Sequence, residues 1–469
     1  MRYTFTLQQQ HYQELQETLI RDDGLERIAF ILCGRSYIAS DPWDSLPEER
    51  FLSRKVKVLP EDKILDSSPV HVTWETDFFV KLLKEVKEQN LAITVVHNHP
   101  NGHPELSEID KVNEKKLFRV LHNRNGIERP HATLVITPDG GISGHSWDTE
   151  LSLHPLDLIR VFGNKFKIFY PSKGHGDLAK AFHRQELAFG KALNHDLSKM
   201  RIAVVGCGGT GSATATFLAR LGVGKILLID EDYVDETNLN RLHCASMSDA
   251  KAKRPKVVVL GSAITNMGLG TEIRTISKWV ESVNNTDSLK SCDMVFGCTD
   301  DHQGRLLLNR LAYFYLLPVI DMGLLIKVSG AEPLEINVLN GRVTVLFPGN
   351  VCLLCRNVIN PEIARSEGLQ RHDPEGYREL KKEAYVIGEG DKSPAVMTFT
   401  TEVAIMAVNE FIHRIQGFRG PKGSASERLR LFIHCEDRKT GGKIRKGCDL
   451  CDKQNFWGRG DMQPFLNRI

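Results

Sequence analysis

Apolar and polar positions along the first 163 residues predict a sheet with helices packed against it. Mostly apolar runs predict buried strands at RIAFILCG (27–34), LAITVV (91–96) and ATLVITP (132–138). Helices are predicted before the first run, at about 7–20, and between the runs, at about 75–88 and 108–122. This mixture predicts an α+β domain over residues 1–163, and the polar stretch YPSKGHGD predicts a linker within 164–177.

A second pattern begins at about residue 178, where short apolar strands and helical segments follow each other in turn. The strands are predicted at RIAVVG (201–206), KILLID (225–230) and MVFGC (294–298). Helices are predicted directly after the first strand, near 253–266 and over 396–416. Strands that alternate with helices predict βαβ units and a mostly parallel sheet, so we expect an α/β domain over residues 178–469.

Composition and charge narrow the class of protein without changing this architecture. The 469 residues are enough for two or three domains, and the formal charge of +2 gives no reason to expect nucleic acid or an anionic membrane as a partner. No apolar run approaches the roughly 20 residues that a membrane-spanning helix needs. The polar start MRYTFTLQQQHYQEL has no apolar signal-peptide core, so we expect a soluble, cytoplasmic protein.

The most informative stretch of the first domain is HNHPNGHPELSEID (97–110), which directly follows the predicted strand LAITVV. His97 and His99 lie two residues apart at the strand end, so both point to one side and can bind one metal ion. Asp110, near the start of the next helix, can add a carboxylate oxygen. Two histidines and one aspartate leave the fourth position of a tetrahedral Zn²⁺ open for water, which predicts a hydrolytic centre. Ser107 is expected to cap the helix and to lie close enough to the metal to stabilise an oxyanion.

The spacing HxHP…SxxD resembles the JAMM motif of the JAB/MPN zinc metalloisopeptidases, which cleave after the C-terminal tail of ubiquitin-like proteins. The resemblance covers about residues 1–150. It implies that a glutamate from an early strand acts as the general base for the zinc-bound water, and Glu26 in LERIAFILCG matches that position. His103 lies outside the motif and is not expected to bind the metal.

The second domain contains a Gly-rich turn, GCGGTGS (206–212), between the strand RIAVV and a helix. The glycines that let the backbone approach a phosphate at the helix N-terminus are Gly206, Gly208, Gly209 and Gly211. Such a turn alone is compatible with NAD, FAD or ATP. Asp230, at the end of the next strand, can hydrogen-bond a ribose hydroxyl. Asn238, Arg241 and Lys256 then supply a polar and cationic cluster that suits a triphosphate and that a dehydrogenase does not need.

This arrangement resembles the E1-like superfamily of the ThiF, MoeB and HesA type, whose members adenylate the C-terminus of ubiquitin-like or sulfur-carrier proteins. The match extends over about 178–469 and implies a Rossmann-like, doubly wound fold that binds ATP and Mg²⁺. Asp230 matches the ribose-binding aspartate, and Asp300 in FGCTDD matches the carboxylate that holds Mg²⁺. The residues that match the phosphate-contacting set are Asn238, Arg241 and Lys256. Arg184 matches an arginine that dimers of the family insert into the neighbour's ATP site, which implies a homodimer.

Four of the ten cysteines form two CxxC pairs, Cys352 with Cys355 and Cys448 with Cys451. Four thiolates can close a tetrahedral structural Zn²⁺, and the long separation of the pairs is normal in the E1-like family. Two redox or incidental pairs remain the alternative. The cysteines expected to be packed in the core are Cys33, Cys244, Cys292, Cys298 and Cys435. Many E1-like enzymes carry a thioester-forming cysteine after the first CxxC, but residues 356–393 contain none, so no obligatory enzyme thioester is expected.

The two resemblances together imply a bifunctional enzyme. Its first domain would use zinc to cleave at the C-terminus of a ubiquitin-like or sulfur-carrier protein, and its second domain would use ATP and Mg²⁺ to adenylate that C-terminus. An E2-like protein is a further candidate partner. Two alternatives stay open: the adenylation of a short peptide or small acid, and a non-catalytic scaffold that binds ubiquitin-like tails.

Overall fold

The structure, a computed structural model, describes residues 1–126, 129–171, 180–282, 286–330, 335–382 and 394–461. The chain divides into two compact units. The first unit consists of Met1–Gly174, Phe314–Leu316 and Trp457–Pro464, and the second of His175–Tyr313, Leu317–Phe456 and Phe465–Ile469. The predicted linker lies outside the described residues from position 172 onward, so its boundaries stay a prediction. Within the described ranges, no helix is long and apolar enough to cross a membrane.

Helices and strands of the first unit follow each other in a mixed order. Its helices are α1 (Gln9–Leu19), α2 (Thr76–Glu88) and α3 (Glu108–Asn125). Its strands are β1 (Arg2–Gln8), β2 (Ile28–Ile38), β3 (Glu48–Val58), β4 (Ile64–Ser68), β5 (His71–Trp74), β6 (Ala92–Asn98), β7 (His131–Ile136), β8 (Ile142–Trp147), β9 (Leu153–Pro155), β10 (Leu158–Phe162) and β11 (Lys167–Phe169). Strands β4 and β5 form a separate hairpin, and the others form one sheet in the order β11-β10-β1-β3-β2-β6-β7-β8-β9.

Strand β2 shows why this sheet is covered on both faces. Its side chains alternate in direction, so Ala29 and Ile31 pack in one cluster with Leu15 of α1. Phe30 and its neighbours pack in a second cluster with Phe118 of α3 and with α2. Both faces are therefore apolar, which explains why β2, β6 and β7 appear in the sequence as continuous apolar runs. The predicted strands and helices of this unit are confirmed at these places.

The second unit begins with helices and then alternates strands and helices. Its strands are β12 (Arg201–Val205), β13 (Lys225–Ile229), β14 (Glu272–Ile276), β15 (Met294–Gly297), β16 (Val319–Ser329), β17 (Glu335–Leu346), β18 (Glu427–Leu431) and β19 (Glu436–Thr440). The helices along this part of the chain are α4 (His183–Phe189), α5 (Lys191–Lys199), α6 (Gly209–Arg220), α7 (Met247–Lys251), α8 (Lys256–Asn266), α9 (Thr286–Lys290), α10 (His302–Phe314), α11 (Pro361–His372), α12 (Pro374–Lys382) and α13 (Met397–Gln416).

The sheet of the second unit has the order β14-β13-β12-β15-β16-β17-β18-β19. Its first five strands are parallel, as the alternating pattern predicts. Its last three strands continue the sheet in antiparallel pairs, so the prediction of a mostly parallel sheet holds for only one half. The order reverses at β12, which has β13 on one side and β15 on the other. In a Rossmann-like fold, ligands bind at the carboxyl ends of the strands next to such a reversal.

Candidate functional site

The first candidate site lies in the first unit, at the carboxyl end of β6 and the N-terminus of α3. One ligand atom each from Glu26, His97, His99 and Asp110 lie within 4.8 Å of one another. The Nε2 atoms of His97 and His99 are 3.1 Å apart, and Nε2 of His99 lies 3.5 Å from Oδ2 of Asp110. Ligands about 2.0–2.1 Å from a tetrahedral Zn²⁺ lie about 3.3 Å from each other, so these three side chains fit one zinc ion.

Glu26 reaches this cluster because β2 and β6 pair in antiparallel register, with Ile28 opposite His97. Its Oε1 lies 3.9 Å from Nε2 of His97, and only 3% of the residue is exposed. Burial raises the pKa of Glu26 to about 7, and the negative charge of Asp110 acts in the same direction. The site thus contains a carboxyl group with a raised affinity for a proton beside the predicted metal ligands.

Asn98, the residue between the two histidines, holds the segment that carries Glu26. Its Oδ1 accepts a hydrogen bond from the backbone N–H of Arg27 at 2.6 Å, and its Nδ2 donates to the carbonyl of Leu25 at 3.1 Å. The backbone N–H of Glu26 donates to the carbonyl of Ser68 in the β4–β5 hairpin at 2.9 Å. No local pattern in the sequence indicates this role of Asn98, since its partners lie more than 70 positions earlier in the chain.

The surroundings of the two histidines bear on which ring nitrogen faces the predicted metal, through a hydrogen bond at His99 and a longer contact at His97. Nδ1 of His99 contacts the carbonyl of His103 at 2.8 Å, so this nitrogen donates and Nε2 stays free for the metal. Nδ1 of His97 faces Oε1 of Glu114 at 4.0 Å. That oxygen has no hydrogen-bond partner among the described residues, while Oε2 accepts from Thr133 at 2.8 Å. Glu114 lies one helical turn after Asp110, a spacing from which it could have been predicted.

Ser107 is the N-cap of α3, as predicted from the sequence. Its hydroxyl donates to Oδ2 of Asp110 at 2.6 Å, and its backbone N–H donates to the same oxygen at 2.8 Å. The backbone N–H of Asp110 donates back to the hydroxyl at 3.1 Å, which completes a capping box. The cap thereby fixes the carboxylate that is predicted to bind zinc. An oxyanion-stabilising role for Ser107 stays a prediction.

The second candidate site is the Gly-rich turn between β12 and α6 in the second unit. Gly206 has a φ of +87°, and a Cβ added there would lie 2.8 Å from the backbone of Cys298. A Cβ added at Gly211 would lie 1.8 Å from the carbonyl oxygen of Gly206. A Cβ at Gly208, the N-cap of α6, would meet nothing within 4 Å, so this position faces open space, and Gly209 begins the helix. A phosphate can approach the turn at this point.

Asp230 and Lys256 lie beside this turn. Oδ2 of Asp230 accepts from the backbone N–H of Cys207 at 2.6 Å, and Oδ1 accepts from that of Asp232 at 2.8 Å. Nζ of Lys256, the first residue of α8, lies 2.7 Å from Oδ2 of Asp232. Burial acts against the charged amine, but the carboxylates of Asp230 and Asp232 outweigh it and raise the pKa of Lys256. The structure therefore brings together the turn, the predicted ribose-binding carboxylate and one lysine that stays charged.

The other predicted adenylation residues are less closely connected. Asp300 is exposed and follows β15, which is parallel to β12, so it lies at the same sheet edge as the Gly-rich turn. Arg241 donates to the carbonyl of Thr237 at 2.8 Å, and Asn238 ends a short 3₁₀ turn. Arg184 is exposed on α4. Within the described ranges, no hydrogen bond or ion pair joins Arg184, Asn238 or Arg241 to Asp230 or Lys256, so their roles stay predictions.

Arg371 on α11, which the sequence analysis did not consider, reaches the same group of carboxylates. Its guanidinium lies 3.6 Å from the centre of the Trp279 ring. Its nitrogens are 3.7 Å from Oδ1 of Asp301 and 3.8 Å from Oε1 of Glu231. The segment after the first CxxC pair therefore places a cation beside acidic residues that directly neighbour Asp230 and Asp300 in the chain.

The four cysteines of the CxxC pairs come together in the second unit. One Sγ atom each from Cys352, Cys355, Cys448 and Cys451 lie within 4.8 Å of one another. Sγ of Cys352 is 3.8 Å from Sγ of Cys448, and Zn–S bonds of about 2.3 Å give about 3.8 Å between sulfurs in a tetrahedron. The backbone N–H of Cys352 also donates to Sγ of Cys451 at 3.1 Å. This cluster is compatible with a structural zinc ion.

The remaining cysteines correct two expectations. Cys33 and Cys292 are buried and Cys298 is half-buried, but Cys244 and Cys435 are exposed. Cys244 was expected in the core, and this is wrong because it lies in the loop before α7, with a φ of +67°. Cys435 lies in the turn between β18 and β19 with a φ of +52°. The apolar run LRLFIHC had predicted a packed core thiol, and this is wrong because β18 ends at Leu431 and the chain then reverses into β19.

Comparison with known proteins shows which protein family the second half of the chain matches. The model of the ThiF family matches residues 182–440, more than half of the 469 residues. Molybdopterin-synthase adenylyltransferase of Haemophilus influenzae is 31% identical over 32% of this chain and 63% of that protein. The SAMP-activating enzyme E1 of Haloferax volcanii is 27% identical over 34% of this chain and 54% of that protein. The adenylyltransferase and sulfurtransferase UBA4 of Meyerozyma guilliermondii is 29% identical over 36% of this chain and 44% of that protein.

The chain thus spans about half the length of the curated relatives it matches. Among solved structures, that of E. coli MccB with succinimide covers 58% of this chain and 75% of that chain, with 17% identity and a TM-score of 0.44. The family match includes the Gly-rich turn, Asp230, Lys256, Asp300 and the first CxxC pair. Because this match covers more than half of the sequence, the chain belongs to the ThiF family.

Proposed function

We propose that the second unit adenylates the C-terminal carboxylate of a small ubiquitin-like or sulfur-carrier protein. The observation that carries this proposal is the grouping of the Gly-rich turn with Asp230 and Lys256 inside the region that the ThiF family model matches. The names of the relatives from H. influenzae and H. volcanii, an adenylyltransferase and a SAMP-activating enzyme, support the same reaction class.

In this reaction the backbone at Gly208 and the N-terminus of α6 receive the phosphates, and Asp230 binds the ribose. Lys256 offsets the charge of the triphosphate, and Asp300 is the proposed ligand of Mg²⁺. An oxygen of the substrate carboxylate forms a bond to the α-phosphorus of ATP. The bond from that phosphorus to the bridging oxygen breaks, so that pyrophosphate leaves and an acyl-adenylate remains.

We further propose that the first unit is a zinc-dependent hydrolase of the JAMM type that acts at the C-terminus of the same kind of protein. The observation that carries it is the fit of His97, His99 and Asp110 to one zinc ion, with Glu26 beside them. A bound Zn²⁺ supplies Lewis acidity, which lowers the pKa of a water molecule to about 7. Glu26 would accept a proton from the attacking water as the water oxygen bonds to the scissile carbonyl carbon, and would donate that proton to the leaving amine as the carbon–nitrogen bond breaks. Ser107 keeps the Asp110 carboxylate in position.

Pyrophosphate exchange tests the adenylation and separates it from the alternatives. Exchange between ATP and labelled pyrophosphate that requires a small protein ending in glycine would support the proposal. Exchange that proceeds with a short peptide or a small acid would show that the substrate is of that kind instead. No exchange with any of them would favour a non-catalytic scaffold.

We expect the adenylation site to need two copies of the chain, because Arg184 is proposed to act in the neighbour's site. Arg184→Ala and Asp300→Ala proteins should each be inactive alone. When they are mixed and allowed to exchange subunits, half of the dimers are mixed, and each has one intact site. About a quarter of the wild-type pyrophosphate exchange should therefore return. No recovery in a mixture that native mass spectrometry shows to contain mixed dimers would mean that Arg184 acts within its own chain.

The acyl-adenylate is expected to be transferred without an obligatory enzyme thioester. Residues 356–393 contain no cysteine, so a thiolate that could attack the adenylate is missing from this segment. The enzyme, ATP and the small protein should give no reducible covalent adduct on a non-reducing gel. Since Cys435 is exposed, the matched control is Cys435→Ala. An adduct that forms with the wild type and disappears in this variant would make Cys435 catalytic.

We expect Asn98→Ala to lower the kcat of hydrolysis by about 10- to 100-fold while zinc stays bound. The change removes the two hydrogen bonds that Asn98 makes to the segment of Glu26, but leaves the three proposed ligands in place. Turnover and zinc content should be measured on the same preparation. The control is Asn123→Ala, an exposed asparagine in the last turn of α3. Loss of zinc from the Asn98 variant would show that Asn98 supports the ligands and not the base.

A further inference from the structure

An apolar pocket opens directly beside the proposed zinc centre. It has a volume of about 320 Å³ and shares Glu26, His97 and Asp110 with the centre. Its apolar walls are formed by Ile28, Val72, Trp74, Val95, Leu117 and Val120. The proposed hydrolysis uses no apolar side chain, so the reaction alone gives this pocket no role.

We propose that the pocket binds a bulky apolar side chain next to the scissile bond of the substrate. This inference rests on the proposed zinc hydrolase and specifies its substrate. A scissile carbonyl at the metal would lie next to residues that are also pocket residues, and successive Cα atoms are only about 3.8 Å apart. The side chain that enters therefore belongs to a residue adjoining the cleaved bond. A glycine on both sides of that bond would leave the apolar walls exposed to water.

Four elements, β2, β5, β6 and α3, form the walls, and they are held by contacts of their own. Val72 and Trp74 come from β5, whose hairpin also binds the backbone of Glu26 through Ser68. Trp74 packs against Phe30 of β2, with 6.1 Å between ring centres. Leu117 and Val120 come from α3. The pocket and the general base are thus positioned by the same hairpin, which links substrate selection to catalysis.

Charge at the pocket also favours an apolar occupant over an acidic one. Three carboxyl groups, those of Glu26, Asp110 and Glu114, line the end next to the metal centre. Glu26 and Glu114 are buried, so an aspartate or glutamate side chain would lose its hydration in a space lined by carboxyl groups. Lys116 and His71 also line the pocket, but Lys116 is exposed, so solvent screens its charge, and His71 contacts Asp66 and Ser68. A leucine or phenylalanine side chain meets no such penalty and gains from burial.

The test measures binding to the zinc-loaded full chain, so it needs neither turnover nor the natural substrate. Two hydroxamates carry a benzyl group beside a zinc-binding group: N-acetyl-phenylalanine hydroxamate on the side before the cleaved bond, and 2-benzylsuccinic acid monohydroxamate on the side after it. The one that binds more tightly is the phenylalanine probe, and the same compound without the benzyl group is the glycine probe. Calorimetric titration should show the phenylalanine probe binding about 10- to 100-fold more tightly, the range expected for burying one such side chain.

Two valines on α3 give a matched pair of variants. Val120 lines the pocket and is 47% exposed, whereas Val112 does not line it and is 53% exposed. Val120→Asp should reduce the advantage of the phenylalanine probe to less than about threefold, with unchanged affinity for the glycine probe. Val112→Asp should leave the affinities for both probes unchanged.

The possible results test the proposal about the pocket separately from the proposal about the zinc centre. If both probes bind with equal, zinc-dependent affinity, the pocket proposal is overturned and the zinc centre stands. If neither probe binds better with zinc than without it, the zinc centre fails, and the inference built on it fails too. An advantage of the phenylalanine probe that survives Val120→Asp would place the side chain outside this pocket and overturn the inference.

Discussion

Glu26→Gln is expected to abolish hydrolysis by the first unit while the zinc content stays at the wild-type level. Glutamine has the shape of glutamate but cannot accept the proton of the attacking water, and loss of a general base costs about 10²- to 10⁴-fold in rate. Glu26 is buried, its backbone N–H donates to the carbonyl of Ser68, and Asn98 bonds to the residues on either side of it, so the replacement side chain stays in place. Cleavage of a C-terminally extended small protein and elemental analysis measure the two quantities. The control is Glu108→Gln, since Glu108 is exposed in the first turn of α3.

The distances in the cluster favour a base over a ligand for Glu26. Oε1 of Glu26 lies 3.9 Å from Nε2 of His97, whereas the proposed ligand atoms are 3.1 and 3.5 Å apart. Ligands of one zinc ion would lie about 3.3 Å from each other, so the longer distance to Glu26 fits a carboxylate that contacts a water molecule at the metal. The zinc content of the Glu26→Gln protein decides between the two roles. If Glu26→Gln protein loses its zinc, Glu26 is a ligand instead. If cleavage persists, another group moves the proton.

Local patterns in the sequence were sufficient to predict the strand, loop and helix that carry each candidate site. The stretch 97–110 contains both histidines, Asp110 and the helix cap, so its strand end, loop and helix start follow from neighbouring residues. The same holds for the Gly-rich turn, which needs only β12, the glycines and α6. Short-range periodicity and capping carry this information in the sequence itself.

Pairings between distant parts of the chain could not be predicted in this way. Strand β1 pairs with both β3 and β10, and in its pairing with β10 Thr4 lies opposite Leu158. The antiparallel pairs of β17 and β18 and the hairpin of β4 and β5 also went unpredicted. The role of Asn98 depends on such a pairing, because its hydrogen-bond partners, Leu25 and Arg27, lie in the segment before β2. A residue whose function is to hold a distant segment gives no periodic pattern that sequence analysis could detect.

Lys256→Met is expected to lower pyrophosphate exchange by about 10²- to 10³-fold, the effect of removing one preorganised group that stabilises developing charge. The side chain of Lys256 is only 11% exposed, so solvent does little to screen its charge. Its amine stays protonated because the carboxylates of Asp230 and Asp232 raise its pKa. Methionine keeps most of the length of the side chain but leaves these two carboxylates without a cation beside the triphosphate. Repulsion should therefore weaken ATP binding as well as slow the chemical step.

A lysine on the preceding helix provides the control for this prediction. Lys251 is exposed at the end of α7, and Lys251→Met should retain wild-type exchange and the same dependence on ATP. Thermal unfolding of both variants shows whether the fold is intact, and exchange at several ATP concentrations separates the KM from the maximal rate. Exchange by Lys256→Met within about threefold of the wild type would remove Lys256 from the proposed mechanism. Arg371 would then be the cation to replace next, because it contacts Asp301 and Glu231, the immediate chain neighbours of Asp300 and Asp230.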